Sequence, residues 1–193
     1  SCGFSISFVI TGPRMSAAAL LSQQILDLTF RVPFLGQCLS ALPRSADPQV
    51  PGMCLRRLAT QIPGLAFAPQ YVNEQSAEAL QGALLHELLH LILKHPQETG
   101  GIRYPFLGHL AADWVVHTYL EALGVRGDFP PTFWQELDCQ PPPGSWGATY
   151  AVLLEVKQEV RELIQSDEYW NMAISRHQYW AEVAHEDAWL RPW

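Results

Sequence analysis

The sequence predicts an α+β fold that is predominantly α-helical and carries one small β-hairpin or sheet. Three observations lead there. Apolar segments with helical periodicity, most of them opened by Ser or Pro, fill most of the chain. One stretch, LATQIPGLAFAP (58–69), reads instead as short extended segments. The chain has 193 residues, 48% hydrophobic and 16% charged, which suits one domain of ordinary size with a real core. We therefore expect a single domain over 1–193. Residues 1–15 would be an N-terminal appendage if Met15 is an alternative start.

Taken in order, the first helix is expected over 16–29 (SAAALLSQQILDLT), with Ser16 as its cap. PFLGQCLSAL (33–42) starts with Pro in a first helical turn. A proline-punctuated loop over 43–52 follows. The two strands of 58–69 are expected to break at Pro63-Gly64. A long helix then runs over 75–94, stopped at His95 by Pro96. Residues 95–104 form a loop with Gly100-Gly101. Pro105 opens a helix through FLGHLAADWVVHTYLEAL, closed by Gly124. The Pro- and Gly-rich stretch 125–148 is a long surface excursion. Two last helices cover 149–165 and 167–190, the second capped by Ser166 and rich in aromatics over 166–193.

The bulk charge is −7, and no run of Lys and Arg could neutralise phosphates, which argues against nucleic acid as a partner. Acidic clusters such as Asp167-Glu168 and Glu186-Asp187 read as solvated surface. No apolar run reaches the ~20 residues of a membrane span. FSISFVI (4–10) is too short for a signal-peptide core and has no basic residue before it, so a soluble, cytoplasmic protein is expected. The four cysteines, at 2, 38, 54 and 139, have no CxxC spacing, so buried free thiols are expected rather than a thiolate metal site.

The chemistry concentrates in ALLHELLHLILKHP (83–96). His86 and His90, four apart, project from one face of a helix, and Glu87 is offset by about 100°. Two neutral imidazoles on a rigid rod, with a carboxylate beside the open coordination position, is the geometry of zinc hydrolysis. Leucines surround these residues, and burying them without a cation would cost several kcal/mol. A third ligand is needed. The helix after Pro105 offers His109, Asp113, His117 and Glu121 at four-residue spacing. Asp113 stands beside Ala111 and Ala112, small enough for close approach of the first helix, and takes the role first, with His109 and His117 as alternatives. His95 reads as a helix terminator or cleft-lip residue, and His177 and His185 read as structural. Tyr104, Tyr119, Tyr150 or a histidine could stabilise an oxyanion, and the strand near 65–68 could be an edge for an extended peptide.

With PFL (33–35), AFAPQYV (66–72), HELLHLILKHP (86–96), LAADWVVHTYL (110–120), the Pro130-Pro131 turn and ATYAVL (148–153) together, the chain resembles a bacterial metallopeptidase-like domain. That domain is found beside von Willebrand factor A-type domains and MoxR-type ATPases, in the wider HExxH zincin group. The resemblance covers about 16–160. It implies a zincin-like fold with Zn2+ held by His86, His90 and Asp113, and Glu87 as catalytic base. It further implies a peptide or protein substrate and an AAA+ ATPase or von Willebrand factor A-type partner. Asparagine is expected in the family where His109 and His117 stand, a departure that keeps the third ligand open. No von Willebrand-type segment is read within these 193 residues, and an aromatic tail (Tyr169-Trp170, Tyr179-Trp180, Trp189, Trp193) is expected to pack on the core. Two functions follow: a zinc metallopeptidase, or a catalytically silent zinc-binding regulatory subunit of a MoxR-type ATPase system.

Overall fold

The computed structural model describes residues 15–59, 63–99, 102–125, 133–140, 144–166 and 175–183. Among them the chain is mostly helical, with one small sheet. Helix α1 (Ala17–Arg31) starts at Ser16, whose hydroxyl accepts from Ala19 N at 3.2 Å. Helix α2 (Pro33–Ala41) has Pro in its first turn and packs closely on α1. Gly36 sits directly against the Thr29 backbone, where a side chain would collide.

The sheet departs from expectation. Strand β1 (Arg44–Ala46) lies in the segment read as loop, and β2 (Met53–Arg57) precedes the stretch read as a strand pair. Strand β3 (Pro63–Phe67) begins at Pro63-Gly64 rather than breaking there. The order is β1-β3-β2, with β1 parallel and β2 antiparallel to β3. The 65–68 segment is thus mostly central strand and offers no free edge; the outer edge facing the helices is that of β2. The sequence signal was weak because β2 and β3 do not alternate. Both are buried on two sides, and such strands lose the period-2 pattern.

The helix expected over 75–94 is found as a single element, and a short helix that the sequence reading did not announce precedes it. Helix α3 (Pro69–Glu74) is separate, and α4 (Ala77–Ile92) starts at Ser76, whose side chain accepts from Ala79 N at 3.1 Å. Glu78 in the first turn complements the helix dipole. Lys94, in a left-handed conformation (φ 59°), ends α4 and turns the chain into the short α5 (His95–Glu98). Helix α6 (Pro105–Ala122) ends before Gly124, whose φ of 66° suits glycine.

Helix α6 touches both main cores. Val116 and Leu120 join Leu21, Leu28, Leu55, Leu65, Leu84, Leu85 and Leu88 in the larger one. Leu107, Leu110 and Ala111 join Phe133, Trp134, Leu153 and Val160 in the other. Helix α7 (Phe133–Glu136) lies within the supposed surface excursion because its two aromatics are buried. The expected 149–165 helix divides at Val156 into α8 (Trp146–Glu155) and α9 (Lys157–Ser166), and residues 167–174, the start of the helix that Ser166 was expected to cap, lie outside the described residues. Of the aromatic tail, the described part is a short helical turn at 175–176, a 3-10 turn (His177–Tyr179) and α10 (Trp180–Val183). It packs inward, with Trp180 and Val183 buried. Residues 1–14, Gly100-Gly101, Pro130-Pro131, Tyr169-Trp170, His185, Trp189 and Trp193 lie outside the described residues, as does Cys2. Cys38, Cys54 and Cys139 are free, and of these only Cys54 is fully buried.

Candidate metal centre

Helix α4 holds His86 and His90 one turn apart, with their Nε2 atoms separated by 2.8 Å. Ala111 and Ala112, both fully buried, let α6 approach α4 closely. That contact brings Asp113 Oδ1 to 3.3 Å from His86 Nε2 and 3.1 Å from His90 Nε2. A fourth group arrives from the 3-10 turn: His177 Nε2 lies 3.1 Å from the same Asp113 oxygen. The four ligand atoms lie within 4.8 Å of one another, and all four residues are buried.

This arrangement fits a small cation. Ligands 2.0–2.1 Å from a tetrahedral ion stand roughly 3.3 Å apart, close to the 3.1–3.3 Å contacts of Asp113 Oδ1. Asp113 Oδ1 and His177 Nε2 are in contact, yet neither makes a directional hydrogen bond among the described residues. A cation held between them would satisfy both. The protonation states agree. Burial alone would raise the Asp113 carboxyl, but His177, with His86 and His90, holds it well below the usual carboxylate range. Burial, reinforced by His86, holds His90 neutral.

His95 has a different place from the one expected. The left-handed Lys94 folds it back so that its Nδ1 lies 3.0 Å from His90 Nδ1. Burial pushes His95 down to about 4, so it is a neutral ring. Two Nδ1 atoms at that distance share one proton. When His90 Nδ1 donates it, His90 Nε2 is left with the lone pair that ligation requires.

Glu87 is also buried, and its Oε2 accepts a hydrogen bond from Leu55 N of β2 at 3.1 Å. Burial raises its carboxyl above the ordinary range, against the pull of His86, His177 and Arg176. The helix therefore turns His86 and His90 toward α6 and Glu87 toward the edge of β2.

Of the alternatives for a third ligand, neither is among the four converging groups. His109 packs its ring on His177 and Trp180, with centroids 4.9 and 5.0 Å away, and burial pushes it down to about 3. His117 pairs with Glu121 at 3.2 Å. Tyr104 and Tyr150 belong to the second core cluster and Tyr119 is exposed. The group missed in sequence was His177, read as structural. It stands 64 positions after Asp113, and the available signal was modest: in RHQYW (176–180) a histidine and a tryptophan three apart share a face.

A family model described as "Putative metallopeptidase domain" matches residues 18–182. The chain belongs to that family. All four converging residues and Glu87 fall inside the matched span of this metallopeptidase-type domain, so this buried polar cluster and the family description point the same way. No curated protein and no solved structure matches the chain.

Proposed function

We propose that the protein is a zinc-dependent hydrolase, a metallopeptidase in which His86, His90 and Asp113 hold the ion and Glu87 is the general base. The observation that carries this reading is the convergence of buried nitrogen and oxygen atoms from α4 and α6, with Glu87 one position from the first histidine. Zinc bound there would lower the pKa of a water toward ~7 and polarise a carbonyl. The rest belongs to the chain. Glu87, whose carboxyl burial raises above the ordinary range, is a stronger proton acceptor than an exposed glutamate. Its hydrogen bond to Leu55 N competes with any peptide carbonyl that pairs along β2. A substrate lying on that edge takes over the Leu55 amide and frees the carboxylate beside the scissile bond. His95 shares a proton with His90 Nδ1 throughout.

Elemental analysis should give one zinc per chain. Glu87→Gln is expected to keep that zinc and lose hydrolysis of a broad peptide library by roughly 10²–10⁴-fold, whereas Asp113→Ala should lose the metal itself. Undiminished cleavage by Glu87→Gln would refute the assignment of the base.

A second reading, a catalytically silent zinc-binding subunit of a MoxR-type ATPase system, draws support from His177. Four protein ligands around one ion is the pattern of structural zinc. It predicts zinc-dependent binding to a purified MoxR-type ATPase and no cleavage by the wild type under any condition.

A further inference from the structure

Three sets of contacts fasten residues 175–183 over the centre. His177 points Nε2 at Asp113 Oδ1, and neither of its ring nitrogens has a hydrogen-bond partner among the described residues although the side chain is 1% exposed. Trp180 closes over the rings of His90, His109 and His177, with centroids at 4.8, 5.0 and 4.1 Å. Glu182 binds the sheet: its carboxylate accepts from Arg57 N at 3.3 Å and its carbonyl from the Arg57 guanidinium at 3.0 Å. Arg56 adds a 3.6 Å approach to the same carboxylate and lies over the Tyr179 ring at 4.6 Å.

The place where this segment docks has a chemical meaning. Leu55 pairs with Leu65, whose own amide donates to Pro43 O on the far side of β3. Leu55 N and Arg57 N, two residues apart, therefore both point away from β3, along the outer edge of β2. Two carboxylates occupy them, Glu87 on the first and Glu182 on the second. A backbone carbonyl of an extended peptide would need those same donors.

We propose that residues 175–183 are an intramolecular cap, with His177 as a fourth protein ligand of the ion and Glu182 standing on β2 in place of a substrate backbone. The inference rests on the zinc-hydrolase reading above. It makes the capped chain the latent form of the hydrolase. Opening would withdraw the His177 imidazole from the centre and return the Arg57 amide to the sheet edge; no covalent bond changes.

The first test needs no variant. In the full 15N-labelled, zinc-loaded chain, long-range 1H–15N correlations count the metal-bound imidazoles. Three are expected, and two would overturn the cap. The second test loads the full chain with Co2+ and titrates acetohydroxamate, a small chelating probe for an open coordination position. Wild-type visible bands should stay unmoved. His177→Ala should show altered bands that shift further and saturably with the probe, and Glu182→Ala, which keeps every ligand, should respond between the two. Identical responses from wild type and His177→Ala would overturn the proposal. A chain that takes up neither zinc nor cobalt removes the hydrolase reading as well, whereas stoichiometric zinc on two imidazoles removes only the cap.

Discussion

His90 is the most enclosed of the converging groups, touched by His86, His95, Asp113, His177 and Trp180. Its neighbour His95 carries no ligand atom to the centre but shares a proton with the Nδ1 of His90, the nitrogen that faces away from the centre. Loss of such a supporting group typically costs 10–100-fold in metal affinity. His95→Ala should therefore weaken zinc binding by about that factor in a chelator competition while leaving one ion per chain at saturation. An unchanged affinity would mean that His95 only packs. At this scale the sequence was partly legible. His86, Glu87 and His90 follow from i, i+4 spacing, and Asp113 from its small neighbours. His95 was misplaced because nothing in LKHP announces the left-handed Lys94 that folds it back. His177 was missed because it reaches Asp113 through tertiary packing alone.

The centre is only as well placed as α4 and α6, and those rest on the helices and sheet behind them. Leu84 and Leu85, both fully buried, key α4 into the larger core. Leu84→Ala is expected to destabilise by roughly 2–5 kcal/mol, read from the urea midpoint. Gly36 controls the α1–α2 contact from the opposite direction. A methyl there meets Thr29 backbone, which cannot swing aside, so Gly36→Ala should cost about 1–3 kcal/mol. A stability gain in Gly36→Ala would show that the helices separate freely. Elements with end signals were legible: Ser16, Pro33 and Pro105 each mark a helix start found within a residue. The sheet was not. Strand β1 is three exposed residues made a strand only by pairing with β3, and β2 and β3 have no alternation to read.

At the scale of the whole molecule, the same buried histidines couple the fold to acidity. His95 and His109 sit at about 4 and about 3, and His90 is lowered too, against an ordinary 6.5. Below pH 6.5 the unfolded chain takes up protons that the folded chain refuses. The stability of the metal-free protein is thus at its full value above that pH and falls as the pH drops toward 4. Glu87 acts the other way, because its raised carboxyl keeps a proton that the unfolded chain releases above about 4.5, but it is one group against three. Asp113, held low, begins to cost stability only below about 3.8. Bound zinc adds to this. At 100 times its dissociation constant an ion that binds only the folded chain contributes about 2.7 kcal/mol, and protons competing for the imidazoles erode that contribution. Urea midpoints with and without zinc should therefore lie well apart at pH 8, both fall below pH 6.5, and converge near pH 5. A gap between them that is constant across this range would mean that zinc, wherever it binds, is not held by titrating histidines, and the centre between α4 and α6 would have to be abandoned.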